Sequence, residues 1–487
     1  MTHSTARGAL WMVLFKLLER GLGLISTLIL ARLLLPKDFG IVAMATSIVA
    51  LLEIFSSFGM DTVLIQRRDA DRDHFNTAWT LNVLAGCAVA AVIALLASPT
   101  SHFYREPRLV AVMCVLAATS VIGACENVGV VEFRRQLRFD REFHYLLAKK
   151  LMAFVVTVPL ALWLRSYWAL VLGTLAGRLG AVFYSYRVQP FRPRLSLRTA
   201  PEMLHFSKWL MTQDALMFLK DRSASFFIGR LAGPAALGAF SISAEIASMP
   251  GTELIAPINR ALLPAYVKLA ADPAALRREF LSSMSGIALI GVPAVAGVAL
   301  AAPFIVLLGL GPKWSATQPL LEVLAFFGIS QVLQSNSYAA FIALGKPELF
   351  ARMNTLQVGL LLVGLIGLTP PYGAIGAAWA YVLAALGALP VNFFYIARHL
   401  GLRSREFLAA VWRPLVSTTV MYASGRAWGP QLESGASSAD ALVPLLSCVA
   451  LGAATYTVTG LALWLAAGRP AGAETWMLRQ LRGVVRP

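Results

Sequence analysis

The chain has 487 residues, of which 58% are hydrophobic and only 14% charged, and its mean hydropathy is +0.68. Soluble domains average roughly 45–50% apolar and 25% charged residues, so this balance excludes a soluble globular protein and points to a polytopic membrane protein. The formal charge of +17 does not mark a nucleic-acid partner, because Lys and Arg sit in short clusters between apolar runs rather than on one domain.

Apolar runs long enough to cross a bilayer as helix recur from end to end. In order they cover residues 8–34, 39–65, 77–97, 107–131, 143–164, 167–189 and 204–230, then 236–258, 281–310, 317–344, 353–369, 373–397, 408–428 and 441–467. The expected fold is therefore all-α, with about fourteen transmembrane helices. The first run is not a cleavable signal peptide, since Lys16, Glu19 and Arg20 interrupt it and the apolar stretch continues to Leu35. Cys87, Cys114, Cys125 and Cys448 lie inside apolar runs without paired spacing and read as small core hydrophobes.

Between the first two spans stands Ala31 to Gly40, Ala-Arg-Leu-Leu-Leu-Pro-Lys-Asp-Phe-Gly, and the pattern returns 198 residues later as Gly229 to Gly238. Arg32 aligns with Arg230, Pro36 with Pro234 and Gly40 with Gly238. Proline stops one helix and glycine permits a close turn into the next. The repeat predicts two related halves.

The basic residues test the span count, because cytoplasmic loops carry the excess of Lys and Arg. Loops on the side of the N-terminus hold 26 of the 42, among them Arg67, Arg68, Arg134, Arg138, Arg192, Arg194, Arg403, Arg413, Arg479, Arg482 and Arg486; the opposite side holds eight. Both termini are expected in the cytoplasm.

Eight more, Lys16, Arg20, Lys149, Lys150, Arg178, Lys220, Arg222 and Arg260, fall within or at the ends of spans. A charge near the bilayer centre costs at least ~2.5–3.5 kcal/mol on insertion scales, so it faces a partner or a wet cavity. Lys16, Glu19 and Arg20 share one helix face by their i, i+3, i+4 spacing. Lys220, Asp221 and Arg222 are consecutive and cannot. Lys16, Arg20, Arg178, Lys220 and Arg222 either line a polar lumen or form interhelical ion pairs; Glu19, Asp221 and Glu245 are the candidate counter-charges, with Glu245 open to either a structural or a proton-coupling role. Lys149, Lys150 and Arg260 lie near a cytoplasmic end, where long side chains snorkel to the headgroups, and Asp61 and Glu126 sit near span ends. Gly173, Gly177 and Gly180 suit helix packing.

No Gly-x-x-x-x-Gly-Lys-Ser/Thr loop or His-Glu-x-x-His motif occurs, so neither an ATPase nor that kind of metal site is indicated. The longest exported loop, about Gly429 to Asp440, reads as a Gly/Ser-rich connector. No cofactor is implied, and an enzyme is disfavoured.

The Ala31 to Ala43 stretch, with Phe58-Gly59-Met60, Leu64 to Asp69, Phe133 to Phe139, Arg192 to Leu197 and Ile228 to Leu231 with Gly238 and Glu245, resembles the polysaccharide transporter branch of the multidrug/oligosaccharidyl-lipid/polysaccharide exporter superfamily, the Wzx-type flippases. The resemblance covers most of residues 1–400. It implies two six-helix lobes around a central cavity, 1–190 and 204–400, joined by a cytoplasmic linker at 191–203 and followed by two more helices and a basic tail in 401–487. It implies lobes related by an axis along the membrane normal. The motif residues that match, Arg32, Pro36, Gly40, Arg230, Pro234 and Gly238, are turn residues. The ligand arginines of the lipid II flippase branch have no clear counterparts here.

The activity so implied is translocation of undecaprenyl-pyrophosphate-linked oligosaccharides across the bacterial inner membrane by alternating access. The implied partners are that lipid-linked glycan and, beyond the bilayer itself, a polysaccharide polymerase and chain-length machinery. Two other readings stay open. A cation-coupled small-molecule exporter of the same superfamily would have an apolar cavity with a lone acidic site. A membrane polymerase or ligase would need a large exported loop bearing arginines and histidines.

Overall fold

The structure is a computed structural model that describes residues 2–54, 60–67, 69–430, 440–470 and 475; residues 2–10, 13, 66, 202 and 204–215 are described by their backbone alone. The Phe58-Gly59 part of the resemblance, Arg68, the connector from residue 431 to 439 and Arg479, Arg482 and Arg486 lie outside the described residues. The described chain is helical, with no strand among the described residues.

The chain divides into two compact units, Met1–Gly238 and Ala239–Pro487. Unit 1 holds α1 (Thr2–Leu33), α2 (Pro36–Ile54), α3 (Met60–Gln66), α4 (Arg72–Tyr104), α5 (Leu109–Ala124), a 3-10 turn (Val128–Val131) leading into α6 (Glu132–Arg135), α7 (Phe139–Leu164), α8 (Trp168–Val188) and most of α9 (Ala200–Met249). Unit 2 continues through α10 (Ala256–Leu269), α11 (Pro273–Leu300), α12 (Ala302–Ile305), α13 (Thr317–Gln334), α14 (Ser337–Ala343), α15 (Pro347–Leu400), α16 (Ser404–Trp428) and α17 (Leu442–Ala466).

Among the described residues, each of the fourteen expected spans falls on one helix or on consecutive helices. Two helices carry two spans each. α9 is broken at Gly233, and α15 at Gly373. In α15 the break is a hairpin, because Gly364 lies against Ala380 and Gly387 against Leu360 across it. Among the described residues, seven helical stretches are long and apolar enough on their own to cross a membrane, or eight if the bent pair Leu109–Ala124 and Val128–Arg135 counts as one. The outward face is apolar in the way lipid demands and water does not: Leu95, Phe183, Val363 and Val443 are 77%, 72%, 69% and 73% exposed. Cys87 and Cys114 also face outward, whereas Cys125 is half-buried and Cys448 buried. The fold is that of an all-α polytopic membrane protein.

Three features depart from the simplest sequence expectation. The fourth span, 107–131, bends by 61° between α5 and the following turn. Arg413, counted above with the cytoplasmic loops, is buried inside α16 because that helix already begins at Ser404. The segment 189–199 has no regular structure, yet it is docked on α4. The amides of Arg194, Ser196 and Thr199 donate to the side chains of Asn76 (2.9 Å), Thr80 (3.0 Å) and Thr77 (3.5 Å), all three buried. Asn127 and Gln189 tie the same strap to the 3-10 turn, Asn127 Nδ2 donating to Phe191 O (2.8 Å) and Gln189 Nε2 to Gly129 O (2.7 Å). A backbone without ladder partners is thereby satisfied by side chains.

Candidate functional site: a charged belt and two crossed turns

α7 packs between α1 and α8, and its consecutive lysines point to different neighbours, as consecutive helical residues must. Lys150 reaches Glu19 of α1 (3.8 Å), which also accepts from Lys16 (2.8 Å). Lys149 donates to both oxygens of Glu126 (2.9 and 3.3 Å), and Tyr145, one turn earlier, donates to the same carboxylate. Tyr145 stacks on Tyr184 of α8 with ring centroids 6.0 Å apart. Arg178, also of α8, packs its side chain against Gly123 and lies within electrostatic reach of Tyr145. Thus Lys16, Glu19 and Arg178 are brought into one belt by Lys149 and Lys150, expected to snorkel, by Glu126, expected near a span end, and by Tyr145, which no sequence signal marked. Arg20 is half-buried one residue beyond Glu19.

Small residues make the belt possible. Gly173 sits against Thr157 and Gly177 against Ala153, and an added Cβ at either would strike α7. The spacing is a small-xxx-small contact that brings two membrane helices together. Close approach of α7 and α8 sets Arg178 beside the Tyr145–Glu126 pair.

Glu126 stands at the bend of the fourth span, and the bend's freed polar groups are satisfied from elsewhere. The Asn127 amide donates to Ser185 Oγ (3.0 Å), Tyr186 OH to Cys125 O (3.1 Å), and Asn127 Oδ1 accepts from the Gly129 amide (2.9 Å). A broken span placed beside charged side chains is a usual way for a transporter to build a polar site within the membrane. A second layer flanks it, with Arg134 bonded to Glu142 and 3.8 Å from Asp61.

The belt holds Lys16, Lys149, Lys150 and Arg178 against Glu19 and Glu126. Basic groups outnumber acidic ones, so the belt attracts anions, and each cation that now holds a carboxylate can exchange it for a phosphate oxygen.

Lys220, Asp221 and Arg222 lie on α9, with Lys220 half-buried and the other two exposed. Asp221 is within electrostatic reach of both basic neighbours. Glu245 belongs to unit 2, where it is exposed and its main-chain oxygen accepts from Ser248 Oγ (2.8 Å).

At the other end of unit 1 the two copies of the repeated turn meet. A Cβ on Gly40 would collide with the carbonyl of Pro234, and one on Gly238 with the carbonyl of Pro36. The two turns therefore lie at one level, and glycine is required at both. Their internal chemistry differs. In the first, buried Asp38 accepts from the Leu35 amide (3.0 Å) and from the Tyr167 amide at the start of α8 (3.3 Å). In the second the aligned residue is Ala236, and the chain instead turns at Gly233, whose φ of +81° suits glycine. Around the turns, Arg230 lies over the ring of Phe103 (5.9 Å) and Arg108 over that of Tyr167 (5.9 Å), while Arg32 is exposed. Arg108 also grips Glu106 with two bonds, of 2.6 and 2.7 Å, and this guanidinium holds the Glu106 carboxyl below its ordinary range.

Residues 29–319 match the family described as polysaccharide biosynthesis protein. The lipopolysaccharide biosynthesis protein WzxC of Escherichia coli (strain K12) is 24% identical over 438 residues, covering 87% of this chain and 88% of WzxC. The teichuronic acid biosynthesis protein TuaB of Bacillus subtilis (strain 168) is 22% identical over 408 residues, covering 83% and 84%. Among solved structures, the lipid II flippase MurJ in an inward closed conformation aligns with a TM-score of 0.76 at 11% identity, covering 95% of this chain and 100% of that one, a likeness of fold. With more than half of its residues matched, and with the helical membrane architecture described above, the chain belongs to this family of polysaccharide biosynthesis proteins.

Proposed function

We propose that the protein is a flippase that carries undecaprenyl-pyrophosphate-linked oligosaccharides from the inner to the outer leaflet of the inner membrane by alternating access, for exopolysaccharide, capsule or O-antigen synthesis. The observation that supports this most is the basic excess of the belt formed by α1, α5, α7 and α8. A pyrophosphate cannot cross hydrocarbon alone, because desolvating its charges costs many kcal/mol. Lys149, Lys150, Lys16 and Arg178 replace its water, Arg178 with a planar fork of donors and the lysines as point charges. Glu19 and Glu126 take the cations back when the cargo leaves. Lys220 and Arg222 act on the same anion from α9, with Asp221 as their counter-charge. Likeness of fold to a lipid II flippase, and relatives named for lipopolysaccharide and teichuronic acid biosynthesis, support a lipid-linked glycan as cargo. In this reading both termini are cytoplasmic, and the cargo passes on to a polysaccharide polymerase.

The test is complementation of a deletion strain, with surface polysaccharide measured against membrane levels of the protein. Lys149→Ala and Arg178→Ala should each abolish export while the protein remains in the membrane. Normal export by both variants at native levels would rule the reading out.

A further inference from the structure

Unit 2 contains a cavity of about 360 Å³ where the ends of α11, α13, α16 and α17 come together with α12. One wall is apolar, made by Leu300, Phe304 and Cys448, which pack on one another. The other is polar, made by Gln318 of α13 and Arg426 of α16. Gly425 lets α16 pack directly on Leu300 of the apolar wall, since a Cβ there would strike it. Behind the polar wall stands Glu322, which accepts from Gln318 Nε2 (3.1 Å) and lies 3.8 Å from Arg426 Nη1. Tyr422 packs on the apolar wall, meets Phe326 edge-on at 5.6 Å, and is within electrostatic reach of both Arg426 and Glu322.

The charge balance decides what suits this cavity. One guanidinium faces one carboxylate, so there is no net charge to select a phosphate, in contrast to the belt of unit 1. What remains is a set of planar donors and acceptors, held by bonds to each other, opposite an aromatic and aliphatic wall. A pyranose ring matches that arrangement, because its edge carries hydroxyls and its face carries C–H groups. The volume lies at the lower end of the roughly 300–1,000 Å³ of small-molecule sites, which suits a mono- or disaccharide unit rather than a long chain.

We infer that this cavity is a saccharide-binding site. It rests on the reading of the protein as a glycan carrier and deepens it, by giving the sugar portion of the cargo a place separate from the charged belt.

The test uses the full chain in lipid nanodiscs and saturation-transfer NMR with D-glucose, D-galactose and N-acetyl-D-glucosamine, with inorganic pyrophosphate binding measured in parallel. At least one sugar should receive saturation from the protein. Gln318→Leu should weaken that sugar by about five-fold, the equivalent of one neutral hydrogen bond, and Arg426→Ala, which removes the other polar side chain of the wall, should remove the signal. Pyrophosphate binding should be unchanged in both, which shows that the variants are folded. Silence from all three sugars, or signals that survive both substitutions, overturns the inference. Loss of pyrophosphate binding in the unsubstituted protein, with sugar binding intact, would instead count against the flippase reading alone.

Discussion

Gly40 packs on the main chain of Pro234 so closely that no side chain fits between them, and the aligned pair Gly238 and Pro36 makes the same contact in reverse. Each copy of the repeat supplies the glycine that the other copy's proline requires. This reciprocity is what a two-fold relation between the copies produces, and it explains why Pro and Gly persist at both places while Asp38 has no equivalent in the second.

Substituting either glycine should therefore destabilise the protein. Gly40→Ala and Gly238→Ala each force backbone apart, an overpacking cost of about 1–3 kcal/mol. Gly23→Ala is the control, because its Cβ would meet nothing within 4 Å and alanine favours helix. Thermal unfolding in detergent should show lower midpoints for the first two and none for the third. Equal midpoints for all three would refute the contact.

The Lys149–Glu126 pair separates binding from scaffolding. If the pair only holds α7 to the bend, removing both charges in Lys149→Ala/Glu126→Gln should restore what Lys149→Ala loses. If Lys149 holds the cargo, the double variant stays inactive. We expect the second outcome, with export lost in the double variant as it is in Lys149→Ala alone.

Arg222 on α9 should discriminate by shape as well as charge. Arg222→Ala should abolish export and Arg222→Lys retain part of it, since lysine keeps the charge but loses the bidentate fork. Export by Arg222→Ala equal to that of the unsubstituted protein, at native protein levels, would show that the guanidinium has no part in holding cargo.

The Glu106–Arg108 clamp makes a pH-dependent contribution to stability. Arg108 lowers the Glu106 carboxyl in the folded state, so its stabilisation is complete above the ordinary glutamate value of about 4.3 and is lost as pH falls through the lower folded value. Glu106→Gln should accordingly unfold at lower temperature than the unsubstituted protein at pH 7, and the difference should shrink as the pH falls below the ordinary glutamate value of about 4.3. A difference that stays constant over that range would exclude the clamp as its source.

Most of the architecture was legible in the sequence because its signals are local. Apolar runs mark the spans, and Pro36 and Pro234 mark the paired turns. What escaped detection depends on partners distant in sequence. The bend at Cys125 to Asn127 carries no proline; it is stabilised by Ser185 and Tyr186, contributed by α8. Lys149 looked like a snorkelling residue because Glu126 belongs to another span. The strap at 189–199 read as a plain linker, since nothing local reveals that Asn76, Thr77 and Thr80 cap its amides. Conversely, the i, i+3 spacing of Lys16 and Glu19 already puts them on one helix face, where the two side chains meet.

The crossed turns also bear on how the protein is made. Pro234 and Gly238 are the final residues of unit 1, and nearly all of that unit is synthesised before they exist. Until they are threaded into the bilayer, the bare backbone at Gly40 has no protein to cover it. The first compact body of the chain is thus completed from its far end. A ribosome paused or a message truncated before the second turn would leave a fragment in which the Gly40 seam is unclosed.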